Sequence, residues 1–228
     1  MRKLIFAALF ILFTAMAARS YAAPCYGTTM PGKKEFFAGT QFYSIFKRTL
    51  ENDGGKIRSA QYFFTLSYGF FDWLSVDLKG GAGDIKQRSS ENQDLNYVSN
   101  FAGGYGFRLK FLDKNNWKMV FGFQHISVHP ASASLNNAKH KAILDDWQTS
   151  LLVSYGLKKF TPYLGVRWSR VDYIHRTVEG RKRVMSDADR SIGFIGGVDV
   201  PLTKKIWLNL EGQMFDSQAV AASLNYKF

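Results

Sequence analysis

Apolar and polar residues alternate along most of the chain with a period of two, in segments of about ten residues. The pattern is most regular from Ile57 to Phe70, where Tyr62 and Phe64 are apolar and their neighbours Gln61 and Thr65 are polar. Because successive side chains of a strand point to opposite faces, each segment predicts a strand with one apolar face. Ten segments can be delimited, at residues 35–49, 57–70, 73–83, 98–111, 117–129, 146–157, 160–176, 190–200, 206–215 and 218–228.

The connections between these segments alternate between short and long. The short ones are residues 71–72, 112–116, 158–159 and 201–205, and the long ones include 84–97, 129–145 and 177–189. If each strand reverses direction, the short turns fall at one end and the long loops at the other, as in transmembrane barrels. We therefore expect an all-β fold, a closed antiparallel transmembrane β-barrel of ten strands, or of eight if the terminal segments are misread.

The first residues have the pattern of a secretory signal peptide. Arg2 and Lys3 precede an apolar run that is too short for a membrane helix, and small residues follow it at Ser20 and Ala22. We expect cleavage after Ala22, with Ala17 as an alternative site. The predicted organisation is a signal peptide at 1–22, a short periplasmic segment at 23–34 and the barrel at 35–228.

Cys25 is the only cysteine of the chain and lies just after the expected cleavage site. A single cysteine cannot form an internal disulfide bond. Lipidation of its thiol is disfavoured because Pro24 stands where a lipidation motif has a small residue, so a free thiol is the preferred interpretation.

The chain ends on a strand whose outward face carries Leu224, Tyr226 and Phe228. A terminal Phe with an aromatic residue two positions before it resembles the end signal of Gram-negative outer-membrane β-barrel proteins. The resemblance implies location in the cell outer membrane and recognition by the barrel-assembly machinery.

Charged residues recur on the polar face of the predicted strands, which in a closed barrel is the inner face. They are Asp77, Lys79, Arg108, Lys110, Lys118, Asp146, Arg167, Asp199, Glu211 and Lys227. A barrel of about ten strands is narrow, and unpaired charges in it are costly, so we expect salt bridges that plug the lumen. A thin pore that favours anions is the alternative.

The long loops are basic, in a chain whose formal net charge is +12. Guanidinium groups bind phosphates with paired hydrogen bonds, so these loops predict contact with lipopolysaccharide. The expected contact residues are Lys86, Arg88, Arg176, Arg181, Lys182 and Arg183. A charged rim that is merely solvated is the alternative.

One short stretch could carry chemistry. His125 and Ser127 share the outward face of the fifth predicted strand, and Asp145 has outward parity beside them. The stretch from Phe121 to Ser127 resembles the His-x-Ser motif of outer-membrane lipid A 3-O-deacylases. The resemblance implies Ser127 as nucleophile, His125 as base and Asp145 as the group that orients the base. The sequence departs from that family in having Val128 after the serine, a mid-chain motif and ten strands.

The remaining histidines lack the companion ligands of a metal site, so we expect no metal and no cofactor. The expected partners are outer-membrane lipid and lipopolysaccharide, with the assembly machinery during biogenesis and no nucleic acid. The oligomeric state stays open. A structural or interaction role is the favoured function, with the deacylase-like esterase and the small pore as alternatives.

Overall fold

The computed structural model describes residues 24–51, 55–88, 94–177 and 184–228. In these ranges there are twelve strands, and no helix is long and apolar enough to cross a membrane. The strands are β1 (Phe36–Thr49), β2 (Lys56–Phe71), β3 (Leu74–Arg88), β4 (Asp94–Lys114), β5 (Trp117–Val128), β6 (Ala133–Leu135), β7 (Ala138–Tyr155), β8 (Thr161–Thr177), β9 (Val184–Ser186), β10 (Ile192–Pro201), β11 (Ile206–Met214) and β12 (Gln218–Lys227).

The ten long strands form a closed antiparallel barrel. Each pairs with two neighbours, and the ring closes where β12 pairs with β1 and β7 pairs with β8. The three-residue strands β6 and β9 lie in long connections and pair with β7 and β8. The predicted fold class and strand number are therefore confirmed.

The strands differ in length around the ring. β4 has 21 residues and β7 has 18, whereas β11 has 9 and β12 has 10. We expected β7 to begin near residue 146, but it begins at Ala138, and β3 continues to Arg88 rather than residue 83. The apolar alternation stops where a strand leaves the hydrocarbon, while the hydrogen bonds between strands continue beyond it, so the pattern shortened these strands.

The outer wall is an apolar belt, with Phe64 73% exposed and Leu164 67% exposed. Leu224, Tyr226 and Phe228 lie on this wall, and the Phe228 ring contacts Phe36 at 5.7 Å between centroids. Closing a sheet in this way leaves no free strand edge, which is the condition for a sheet to lie in hydrocarbon.

The interior of the barrel has two layers of different chemistry. Toward the long loops it holds a packed apolar cluster, in which Ile57, Ile85, Val128 and Leu144 are at most 1% exposed. Toward the short turns it holds polar and charged side chains. We refer to these as the outer-end cluster and the turn-end lumen.

Residues 24–34 differ from expectation. We predicted a short periplasmic segment at 23–34, but residues 24–31 run inside the turn-end lumen and are buried or half-buried, while Lys33 and Lys34 are exposed. The physical reason is that the lumen wall offers unpaired donors and acceptors to its backbone. Gly69 makes room where the segment enters, since a Cβ there would lie 2.0 Å from the Gly32 carbonyl oxygen. The predicted signal peptide, at 1–22, lies outside the described residues.

Candidate functional site

Arg108 is the centre of the turn-end lumen. Its guanidinium forms two hydrogen bonds with Asp77, at 2.7 and 2.9 Å, and both side chains are at most 5% exposed. The same group donates to the carbonyl oxygens of Tyr26 and Thr29, at 3.2 and 2.8 Å. Paired hydrogen bonds to a carboxylate and two carbonyls satisfy a charge that would otherwise be costly to bury.

Two further ion pairs cross the lumen above this level. Arg48 donates to Asp146 at 3.2 Å, and Arg167 contacts Asp216. Both guanidinium groups also donate to the Ser217 hydroxyl, at 3.2 and 3.1 Å. All four charged side chains are 5% exposed or less, so the two pairs form one buried layer across the barrel.

Two members of this layer were missed from the sequence. Arg48 follows Lys47 near the outer end of the first predicted strand, a pattern that indicates the outer rim, but β1 carries an irregularity between Ile45 and Arg48 that turns the Arg48 side chain inward. Asp216 lies in the tight β11–β12 turn, where Phe215 has a φ of 86°. Gly193 makes room for it, because a Cβ at Gly193 would lie 1.9 Å from the Asp216 Oδ1.

The two other acidic groups of the lumen bind the amino-terminal segment. Asp199 accepts a hydrogen bond from the Thr29 hydroxyl at 2.7 Å and one from Asn209 at 2.8 Å. Glu211 accepts from the Cys25 amide at 2.8 Å and from the Tyr163 hydroxyl at 2.9 Å. An aromatic residue this close to a short turn suits a girdle at headgroup depth, but Tyr163 has the parity of Arg167 and points inward, 2% exposed.

Lys79 also lies in the turn-end lumen, where it donates to Gln41 at 3.0 Å and Gln124 at 3.2 Å. Its ammonium lies 4.2 Å from the centre of the Tyr26 ring, a cation–π distance.

The remaining three predicted lumen charges lie at the turn-end mouth. Lys110 pairs with the exposed Asp113 at 2.7 Å, and Lys118 is half-buried just after the β4–β5 turn. Lys227 pairs with Glu35. The hydrogen bond from Lys227 and that from the Gly32 amide hold the pKa of the Glu35 carboxyl below its usual value.

The outer ends of β2 and β3 carry four exposed basic residues, which we call the basic quartet: Lys56, Arg58, Lys86 and Arg88. Their backbones are in register, with Lys56 opposite Arg88 and Arg58 opposite Lys86. Like charges directly opposite each other across two strands are destabilising. Of these four residues, two have an ion pair in the described structure. Lys86 pairs with Asp84 at 3.9 Å, and Arg88 pairs with Asp94 at 3.1 Å.

Of the other residues expected to contact lipopolysaccharide, Arg176 is the penultimate residue of β8, and its side chain lies outside the described part of the structure. Arg181, Lys182 and Arg183 lie outside the described residues.

The proposed catalytic residues meet on the outer wall, but not as a triad. Ser127 contacts Asp145, and its hydroxyl lies 2.7 Å from Nε2 of His129 rather than close to His125. His125 Nε2 lies 3.6 Å from Asp145, has no hydrogen-bond partner, and its ring stacks on Trp147 at 3.9 Å. In a triad the base lies between the nucleophile and the carboxylate. Here the Ser127 hydroxyl donates directly to Asp145, and the implied base His125 forms no hydrogen bond with Ser127 in the described structure.

Comparison with protein families gives a match between residues 123–186 and the family described as Chlamydia major outer membrane protein. This stretch runs from β5 to β9 and covers less than a third of the chain.

Among curated proteins, the chain is 44% identical over 43 residues to the major outer membrane porin, serovar C, of Chlamydia trachomatis, covering 19% of this chain and 11% of that protein. It is 33% identical over 81 residues to the serovar L1 porin, covering 35% of this chain and 20% of that protein. The chain spans between about a tenth and a third of the length of the first relatives it matches.

Two solved structures share the architecture over most of both chains. The translocator domain of the autotransporter NalP from Neisseria meningitidis aligns with a TM-score of 0.50 at 10% identity, covering 89% of this chain and 91% of that one. An outer-membrane channel from Pseudomonas putida F1 aligns with a TM-score of 0.50 at 9% identity, covering 91% and 100%. At these identities the likeness concerns the fold alone.

Proposed function

Because this chain is an outer-membrane β-barrel protein, we propose that it is a closed, non-conducting barrel whose basic quartet binds the phosphates of anionic outer-leaflet lipid, such as lipopolysaccharide. Its role is then structural and interactive, without a chemical step.

The register of the basic quartet is the observation that supports lipid binding. Two pairs of cations stand directly opposite each other, and in each pair one member, Lys86 or Arg88, has a carboxylate partner among the described residues, whereas Lys56 and Arg58 have none. A phosphate between them removes the repulsion and accepts the paired hydrogen bonds of Arg58 and Arg88. The quartet lies on the outward face, because the intervening Ile57, Ile85 and Gln87 are buried inside.

The filling of the lumen supports the closed state. The outer-end cluster, the layer of Arg48, Asp146, Arg167 and Asp216, and the amino-terminal segment occupy successive levels of the barrel. An ion crossing the barrel would have to displace apolar side chains and break buried ion pairs.

A pore is the second candidate, since the relatives with similar sequence are named porins. Planar-bilayer recording of the purified protein separates the two. We expect no steady conductance above that of the bare bilayer, and a stable ion-selective channel from the full chain would reject the closed barrel.

Lipid binding is tested by removing the charges of the basic quartet. Each Lys or Arg near an anionic surface contributes about 1 kcal/mol. Replacing all four with Gln therefore removes about 4 kcal/mol and should weaken binding to lipopolysaccharide by roughly a thousandfold. Isothermal titration calorimetry of the detergent-purified barrel measures this.

The matched control replaces four exposed lysines at the turn end, Lys114, Lys158, Lys159 and Lys204, with Gln. This variant loses the same net charge and should keep its affinity. Equal losses in both variants would show that net charge alone attracts the lipid and would contradict a site at the quartet.

A further inference from the structure

We infer that the turn-end lumen is a binding site for a short peptide that turns at a glycine, occupied in this structure by residues 24–29 of the same chain, where Gly27 has a φ of 67°. The inference deepens the proposed closed barrel, because it names the element that closes the turn end and makes it exchangeable.

The wall recognises the peptide backbone through both donors and acceptors. Glu211 accepts from the Cys25 amide at 2.8 Å, and Arg108 donates to the carbonyl oxygens of Tyr26 and Thr29 at 3.2 and 2.8 Å. Gln124 donates to the Pro24 carbonyl. Backbone groups are common to all peptides, so these bonds recognise the path of the backbone. Gly27 adds a sequence requirement, because its φ is 67° and a Cβ there would lie 2.9 Å from the Asn209 side chain.

Side-chain contacts add selectivity. Thr28 donates to Ser154 at 2.8 Å, and Thr29 donates to Asp199 at 2.7 Å. The Tyr26 ring lies between two cations, 4.2 Å from the Lys79 ammonium and 5.2 Å from the Arg108 guanidinium carbon. The site therefore takes an uncharged segment with an aromatic side chain followed by hydroxyl side chains.

The segment is separable from the barrel that holds it. Hydrogen bonds between residues 24–29 and the wall all involve wall side chains, whereas backbone pairing with the barrel begins at Lys34, which donates to the Gly69 carbonyl at 2.7 Å. Removing residues 24–31 leaves every strand pair intact, and Arg108 keeps Asp77 as its ion-pair partner. The empty site is then a polar recess that another copy of the peptide can fill.

The experiment uses a variant that lacks residues 24–31 and a synthetic peptide with the sequence of residues 24–31. Fluorescence anisotropy of the labelled peptide should show saturable binding to the variant in detergent. The full chain, whose site is occupied, should bind at least tenfold more weakly. Unchanged heat-modifiable mobility of the variant on gels shows that its barrel is intact.

Tyr26 offers a matched pair of peptides. Its hydroxyl is buried without a hydrogen-bond partner, so the peptide with Tyr26→Phe keeps the ring between its two cations and should bind as tightly. The peptide with Tyr26→Ala should bind at least tenfold more weakly. A scrambled peptide that binds as well as the native one would overturn the inference.

A second readout uses the full chain. Cys25 is the only cysteine and is 5% exposed, so it reports whether the segment occupies its site. We expect a water-soluble maleimide to label native protein at least tenfold more slowly than protein unfolded in urea. Equal rates would overturn the inference.

Failure of the proposed function has a different signature. The closed barrel would be rejected if the full chain conducts ions. If Cys25 is at the same time protected from the maleimide and the peptide binds specifically, the peptide site is still supported. Absence of peptide binding in a non-conducting barrel would reject the peptide site alone.

Discussion

The guanidinium of Arg48 lies inside the barrel because one local irregularity of β1 reverses the side to which its side chains point. Its position among other basic residues, Lys47 and Lys56, suggested a solvated rim. The structure instead buries it completely against Asp146 and Ser217. An extra residue in a strand leaves no mark on composition, so the sequence could not reveal it.

Replacing Arg48 with Ala should destabilise the barrel by about 3–5 kcal/mol, because the Asp146 carboxylate is then buried without its cation. Urea-dependent loss of heat-modifiable mobility measures the change. Arg58→Ala, at an exposed position of β2, is the control and should change stability by less than about 0.5 kcal/mol. If both variants unfold at the same urea concentration, the buried ion pair contributes nothing.

Gly193 and Gly80 form a second matched pair. A methyl group at Gly193 would lie 1.9 Å from the Asp216 carboxylate, whereas one at Gly80 meets nothing within 4 Å. Gly193→Ala should therefore cost about 1–3 kcal/mol through overpacking, while Gly80→Ala should be neutral or slightly stabilising. Unfolding midpoints in urea provide the comparison. If both variants are destabilised equally, the cause is the replacement of a glycine and not the contact with Asp216.

Other side-chain directions were within reach of the sequence. Tyr163 lies four positions before Arg167 in β8 and Tyr173 lies six positions after it, so all three side chains share the inward face. Aromatic residues at these positions are also typical of a girdle at the membrane surface, but Tyr163 donates to Glu211 and Tyr173 donates to Gln87 at 2.7 Å. Strand parity is the stronger guide where the two conflict.

At the scale of elements, the ten long strands were predictable because lipid on one side and polar groups on the other impose a period of two. The amino-terminal segment has no such period, since residues 24–29 bind side chains of the lumen wall and backbone pairing with a strand begins only at Lys34. Its place in the lumen depends on Arg108, Asp199 and Glu211, which are far away in the sequence. Only the folded barrel brings these three together.

The junction between the segment and β1 should be sensitive to acid. Lys227 and the Gly32 amide lower the pKa of Glu35, so the carboxylate stabilises the junction above the ordinary glutamate pKa of about 4.3. That stability is lost as the pH falls through the lower folded-state pKa. Below this pH, hydrogen exchange at the Gly32 amide should be faster than the intrinsic exchange rate of an amide at that pH would predict. The Glu35→Gln variant should not show this extra acceleration. Identical pH profiles for the two proteins would contradict it.

At the scale of the whole molecule, the outer-end cluster resembles the core of a soluble protein placed inside a membrane barrel. Leu144→Ala, at a position 1% exposed, should cost about 2–5 kcal/mol by leaving a cavity. Leu164→Ala removes the same atoms from the outer wall, where Leu164 is 67% exposed and lipid fills the space, and should cost less. Equal costs in urea unfolding would mean that this part of the lumen is not packed.

The unequal strand lengths give the molecule a high side and a low side when viewed from outside the cell. At about 3.3 Å per residue and a tilt of about 40°, the 21 residues of β4 rise about 50 Å and the 9 residues of β11 about 23 Å. An apolar band about 25 Å tall therefore covers the whole low side and only half of the high side. Antibodies and other large particles should therefore contact the side of the barrel around β4 before the side around β11. The surface that they can reach lies mainly on one side of the barrel.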